Sequence, residues 1–357
     1  MEHKTYNDEI DFMDYVKPDE LLSHSSLHPD KYHFVESDNG FTRKARLLQA
    51  IRRYQSGADC GSFEKDGVIY YHPNLAKDGQ ITGCNFLNHE IFEYAKYRIA
   101  YKKSYETIRD DRLFNNFLSS QPMAFNLFFP LMKIVQSKNG QKKLAKMVSN
   151  LVDNNKNLNI DRIVEVGIEF IPYYYEFCLN DKTAMDAYFR FFTADGKKGI
   201  IAIETKYTDV LGDNQASKPT LAIETATERD GVAQLFTTQT KEKILNGETK
   251  LSQVYRNFLL TETVRLNEHL DDSLSIVIAP KENTSNKEDE DQLSKALNEE
   301  NKYKFQVIEL ETFVKALMIS FPKEHIFQQF WHRYLDFEAV ELVKTELISR
   351  ITSPSAQ

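Results

Sequence analysis

The sequence predicts a mixed α/β fold: a mixed central β-sheet flanked by helices, in αβββαβ order, with a mostly helical N-terminal extension. Three observations predict it. An aromatic, half-alternating hairpin pattern occupies Ala184–Asp209. Apolar strand-like runs flank it at Ile163–Ile171 and Leu274–Ala279. Between the hairpin and the later strand lies an amphipathic helix, Leu251–Leu270, with Val254, Phe258, Leu259 and Leu266 facing inward.

Met1–Asp38 is polar, with scattered aromatics and no sustained period; His24 and His28 fall in a loop, because Ser25, Ser26 and Pro29 disfavour a helix there. Gly40–Gln55 reads as a helix opened by Thr42, with Leu47, Leu48 and Ile51 as its apolar stripe. Arg43, Arg46 and Arg53 lie near one side of it, either against phosphate or solvated. Phe63–His72 alternates about an Asp66-Gly67 turn and predicts a short hairpin. Leu75–Asn85 is rich in turns, and Asn88–Asp111 is helical. Arg112–Leu131 is dense in Phe and Leu and predicts a buried helix pair around Pro122, with Ser120, Gln121 and Asn126 capping helix ends in preference to the alternative of facing a binding site. Lys133–Lys146 is the most basic window, carrying five lysines and no acid. Val210–Asp230 is a polar connector of a length associated with lids and binding loops. Val232–Leu245 is helical; Lys281–Asn301 is acidic and reads as mobile. A strand at Phe305–Glu309 and helices at Glu311–Ser320 and Glu324–Tyr334 follow, the last holding the sole tryptophan, Trp331; Thr352–Gln357 has the character of a disordered tail.

Register decides what the hairpin brings together. Its arms are Asp186–Thr193 and Gly199–Thr208, joined through Asp195-Gly196. Alternation sets Glu204 and Lys206 on one face. With an odd loop, Asp195 to Lys197, residue 194 pairs with 198, and Asp186 faces Lys206 and is diagonal to Glu204. An even loop turns Asp186 to the opposite face.

Two carboxylates held at one spot repel each other unless a cation neutralises them, and their oxygens suit a hard divalent ion: Mg²⁺, with Mn²⁺ as the substitute. A lysine beside that ion stabilises developing negative charge or helps activate water. Asp186, Glu204 and Lys206 are therefore expected as the catalytic set of a phosphodiester hydrolase, the competing reading being a solvated salt-bridge face. Together with LSSQPMAFNLFFPL, MDAYFRF, IAIETKYTD and QVYRNFLLTE, this pattern resembles the PD-(D/E)XK nuclease superfamily, and within it a bacterial family of restriction endonucleases. Asp186 matches the metal aspartate and Glu204-Thr205-Lys206 the E-x-K; Met185 stands where a proline often precedes the aspartate.

The resemblance implies a restriction-endonuclease-like core and a Mg²⁺-dependent endodeoxyribonuclease of restriction or phage-defence type. DNA is the expected partner, with RNA as the other candidate, and a homodimer or a partner protein would supply specificity. A catalytically inactive nuclease-fold module that binds nucleic acid or regulates is the alternative. The resemblance also implies a further acid from upstream. Glu165, Glu169 and Glu176 stay open, with Glu169 carried forward as the third metal ligand beside Asp186 and Glu204. In such enzymes a helix after the E-x-K covers the site, so Gln253 and Arg256 are expected to bind substrate, against the plain reading of a surface i,i+3 pair. Lys142 and Lys143 are expected to hold phosphate, a solvated helix face being the equal alternative.

Composition bounds the rest. A chain of 357 residues allows one large domain or two. The expected division is an extension at 1–111, a core at 112–320 and a C-terminal helix and tail at 321–357. A net charge of −8 argues against a broad, nonspecific nucleic-acid binder but leaves room for a local basic site. No apolar run nears the ~20 residues of a membrane helix, and the N-terminus, MEHKTYNDEIDF, is too polar for a signal peptide. Cys60, Cys84 and Cys178 are far apart and form no C-x-x-C, which fits packing residues in a reducing cytosol and a cytoplasmic location. His89-Glu90 does not open an H-E-x-x-H, since Glu93 occupies the last position, so a zinc protease is excluded.

Overall fold

The computed structural model describes residues 38–65, 67–152, 158–208, 233–246, 248, 252–285 and 287–342. The N-terminal histidines, the connector at 210–230 and the C-terminal tail lie outside the described residues. Chain packing forms two compact units. The first takes residues 1–85, 114–118 and 332–357, and the second takes 86–113 and 119–331.

In the first unit, helix α1 (Gly40–Gln55) starts where Asn39 Oδ1 accepts from Thr42 N at 2.8 Å. Asn39, rather than Thr42, is the cap. Leu47, Leu48 and Ile51 bury against Val340. Of the arginines expected on a phosphate-binding or solvated side, two are used internally: Arg53 is buried and donates to the carbonyls of Ala58 and Pro73, and Arg46 pairs with Asp38, while Arg43 is exposed. Strands β1 (Cys60–Lys65) and β2 (Val68–Ala76) form the expected hairpin, with Lys65 opposite Val68 and Gly67 at φ +76°. A single helical turn, Gly79–Thr82, follows.

The second unit opens with helix α2 (His89–Ala100), which ends well before the expected Asp111. Helix α3 (Ser120–Ile134) is one helix, not a pair around Pro122. Ser119 accepts from Gln121 N at 3.2 Å as the cap. Pro122 then falls in the first turn, where its missing N–H costs nothing. Helix α4 (Lys138–Leu151) is capped by Ser137 through Gly140 N at 3.0 Å. A five-stranded sheet follows in the order β3-β4-β5-β6-β7: β3 (Ile160–Phe170), β4 (Met185–Thr193), β5 (Lys198–Thr205), β6 (Asp272–Ala279) and β7 (Phe305–Glu309). The first three run antiparallel as a meander, and β5-β6 and β6-β7 are parallel.

Parallel neighbours need crossovers. Helices α5 (Thr238–Leu245) and α6 (Gln253–Asn267) lie between β5 and β6, and α7 (Lys287–Ala296) between β6 and β7. Helices α8 (Leu310–Ser320) and α9 (Ile326–Tyr334) follow β7. The segment read as acidic and mobile is thus corrected: α7 buries Leu293 and Ala296, with Leu297 just beyond, in the core that contains α6. Its acids occupy the outward side and conceal the apolar spacing.

Helices cover both faces of the sheet. Phe128 of α3 meets Phe189 of β4 edge-on at 6.0 Å. On the other face, Ile200 and Ala202 of β5 join Phe258 and Leu259 of α6. Strand β4 alternates buried and half-buried residues along its length, whereas all of β5 after Lys198 is buried, as expected for an interior strand. Among the described residues no helix is long and apolar enough to cross a membrane.

Candidate active site

The strand register places the acids. Ala187 faces Ile203, so the next step along the hairpin sets Asp186 across from Glu204. Thr193 N donates to Lys197 O at 3.0 Å, which leaves Ala194, Asp195 and Gly196 as a three-residue loop, with Gly196 at φ +86°. The odd loop length is as expected, but the loop sits one residue earlier. Asp186 therefore faces Glu204 rather than Lys206. On the other side, Ile168 opposite Ala187 and Phe170 opposite Met185 bracket Glu169 at the level of Asp186. Glu169, Asp186 and Glu204 thus stand abreast on three adjacent strands.

Glu169 adopts φ +53°, a left-handed conformation that an L-residue with a side chain rarely takes. Arg98 of α2 holds it there, donating to the carbonyls of Ile168 and Glu169 (3.1 Å to the latter). Glu106 in turn pairs with Arg98 at 2.8 Å.

All three acids line one cavity of about 530 Å³, with Lys206, Gln121, Gln253 and Arg256. Each acid is engaged. Thr205 donates to Asp186 Oδ2 through its backbone N at 2.7 Å and its hydroxyl at 2.9 Å. Gln121 Nε2 donates to Glu169 Oε1 at 2.9 Å. Glu204 pairs with Lys206 Nζ at 2.6 Å and accepts from Gln253 Nε2 at 2.6 Å and from Asn257 Nδ2. Lys206 Nζ also donates to Gln253 Oε1 at 3.0 Å, so Gln253 bridges the acid and the base of the Glu-x-Lys. Glu204 is 3% exposed and Lys206 4%.

Burial raises the Glu169 carboxyl well above the usual carboxylate range, and the neighbouring Asp186 charge raises it further. Burial and Asp186 likewise push Glu204 up to about 7, outweighing the pull of Lys206. The donor set fits a divalent cation chemically, because hard oxygens that repel one another are what such an ion relieves. Among the described residues, though, no three His, Cys, Asp or Glu side chains are gathered as a ready ligand group; each acid is turned to a protein partner instead.

A stability prediction follows. Both acids bind protons more tightly folded than unfolded, so the metal-free protein should lose stability as pH rises from about 4.5 through about 8. Glu169→Gln removes one of these charges while keeping the shape, and its melting temperature should fall less over that interval. Thermal unfolding across pH measures this, and parallel curves for the two proteins would refute it.

The other expected residues divide. Arg256 lines the cavity, 3.9 Å from Asp181, and its buried Nε has no hydrogen-bond partner among the described residues. Gln253 lines it too, as a partner of Glu204 and Lys206. Lys142 and Lys143 are not brought to the acids. Both are exposed on α4, and Lys143 lines a separate cavity of about 510 Å³ with Lys133. Glu165 bonds Tyr188 and pairs with Arg190, and Glu176 lies beside Tyr175. Ser120 and Gln121, expected as caps, line the acid cavity, while Asn126 accepts from Leu87 N at 3.0 Å.

The sequence reading missed Asn257, although its i,i+4 spacing from Gln253 signals a shared helix face. It also missed Arg98, whose role depends on a backbone turn that no side-chain pattern reveals. Arg109, Arg112 and Lys182, also cavity residues, lie in loops or, for Arg112, in a single π-helical turn (Asp111–Asn115), too short to show a periodicity.

An antiparallel hairpin presents Asp and Glu-x-Lys, a preceding strand adds an acid and a following helix covers them, within a mixed sheet of restriction-endonuclease-like fold. The chain belongs to the PD-(D/E)XK nuclease superfamily, whose family model matches residues 36–336. Members of this superfamily generally use divalent metal ions. No curated protein and no solved structure matches the chain.

Proposed function

We propose that the protein is a metal-dependent endonuclease that hydrolyses phosphodiester bonds in DNA, in restriction or phage defence. The observation that carries this reading is the set of three acids abreast on β3, β4 and β5, with the buried Lys206 ammonium against Glu204 in the same cavity. Asp186, Glu204 and Glu169 would hold Mg²⁺ or Mn²⁺. The ion would supply Lewis-acid polarisation of the phosphate and a more acidic bound water.

The chain's own residues do the rest. Lys206 holds a fixed positive charge on a buried side chain in the cavity wall, where it stabilises charge on the transferring phosphoryl group more than a solvated ammonium would. Gln253 and Asn257 fix the rotamer of Glu204, and the Thr205 N–H and hydroxyl fix Asp186. Arg256 lines the same cavity, and its guanidinium would bind a phosphate oxygen there.

One observation favours a second reading, a nuclease-fold module that binds without cutting: the acids are satisfied by protein donors. Covalently closed substrates separate the two. Supercoiled plasmid and circular single-stranded DNA should be cut in the presence of Mg²⁺ or Mn²⁺, and Asp186→Ala should abolish cutting. If the wild type leaves DNA and RNA intact with either ion, the enzyme reading fails.

A further inference from the structure

The two segments that run into the acid cavity carry a feature that hydrolysis does not use. Tyr173 is 81% exposed and Phe177 65%. Both sit on the segment that leads from Glu169 to the cavity residues Asp181 and Lys182. From a second segment Tyr105 packs over Tyr175, with ring centroids 5.7 Å apart and planes inclined by 33°. That segment runs on into Thr107, Arg109 and Arg112 of the same cavity. Lys182 Nζ donates to Ser104 O at 3.2 Å and ties the two segments together. Further up the chain Tyr97 and Tyr101 form another exposed ring pair, with centroids 4.8 Å apart.

Rings displayed in water cost free energy unless something covers them. Here they adjoin cations. Arg109 is exposed and oriented by Asp111 at 2.9 Å, and Lys182 is exposed beside the cavity. Rings together with cations recognise a chain that has both flat π faces and phosphates. A duplex hides its base faces in its own stack, whereas an unpaired strand presents them. We propose that the cavity takes a single-stranded polynucleotide, whose bases stack on the shelf of Tyr105, Tyr173, Tyr175 and Phe177 while Arg109 and Lys182 hold its phosphates. The proposal rests on the nuclease reading and names its substrate class.

The test is fluorescence polarisation of the full chain in EDTA, which separates binding from cutting. The probes are a labelled oligothymidylate, an oligouridylate and a DNA duplex of equal length. At least one single strand should bind about tenfold or more tightly than the duplex, and the two sugars distinguish DNA from RNA. Tyr173→Ala with Phe177→Ala should weaken single-strand binding by about tenfold or more and leave duplex binding nearly unchanged. Both side chains are exposed, so the fold should survive. Tyr105→Phe keeps the ring and should keep the affinity, whereas Tyr105→Ala should lose it. Equal affinity for duplex and single strands overturns the proposal. So does a double variant that binds like the wild type, which would assign the rings to a protein partner. A nuclease that cuts plasmid but shows no single-strand preference sinks this proposal alone, and a single-strand preference without cleavage of any substrate sinks the nuclease reading alone.

Discussion

Lys206→Ala is expected to lower the rate of Mg²⁺-dependent cleavage by about 10²–10³-fold, the usual cost of removing one preorganised charge from a reacting centre. That corresponds to about 3–4 kcal/mol of barrier. The size of the effect follows from burial: Lys206 is 4% exposed, and its ammonium is fixed by Glu204 at 2.6 Å and Gln253 at 3.0 Å. A charge so held needs no reorganisation when the phosphoryl group gains negative charge. The fold should persist in the variant, because Glu204 keeps two donors, Gln253 and Asn257, and can remain protonated near neutral pH. Initial rates on supercoiled plasmid, with circular dichroism as the folding control, check this. A folded Lys206→Ala protein that cuts as fast as the wild type would remove Lys206 from the chemistry.

Lys304→Ala is expected to destabilise the second unit by about 3–5 kcal/mol, the cost of stranding a buried charge. Lys304 stands at the start of the parallel part of the sheet, just before β7. Its ammonium lies 3.0 Å from Asp272, 3.0 Å from the Ser273 hydroxyl and 3.3 Å from Glu262. Glu262 is almost fully buried on α6 and also pairs with Arg265 at 2.8 Å. One network therefore joins the crossover helix to β6 and to the entry of β7. Removing Lys304 leaves Glu262 in the core with Arg265 and the Ser273 hydroxyl as its remaining partners. Lys304→Met combined with Glu262→Gln should cost less than the sum of the two single changes, because neither charge is then left behind. Chemical denaturation measures the wild type, Lys304→Ala, the two single changes and the double variant. A loss under about 1 kcal/mol for Lys304→Ala would class the network with surface ion pairs.

Much of this site is legible in the sequence because strands and hairpins advertise themselves. The aromatic alternation of β4, the Asp195-Gly196 turn and the Glu204-Thr205-Lys206 spacing suffice to put three residues on one face. The error of two in register has a local cause. The Thr193 hydroxyl accepts from Lys197 N at 2.9 Å and closes the loop one residue early, a side-chain event that competes with backbone pairing. Gln121 reads as a cap because polar residues at helix starts usually are caps. Its contact with Glu169 spans 48 residues of sequence, a separation that local patterns do not encode. Glu169 reads as a candidate acid on a strand, but its left-handed turn does not, since no residue type announces φ +53° at a glutamate. The lysines of α4 show the opposite failure: their density suggested a phosphate site, but the helix presents them away from the acids.

The hold of Arg98 on the Glu169 turn has a practical meaning for anyone trimming the protein. A fragment that begins at residue 112, where the helix-rich extension was expected to end, would keep every strand of the five-stranded sheet and all three acids. It would lose the one guanidinium that ties down the carbonyls of Ile168 and Glu169. The smallest self-sufficient piece of this molecule is therefore set by a hydrogen-bond donor upstream of the motif, and a shortened version should retain α2.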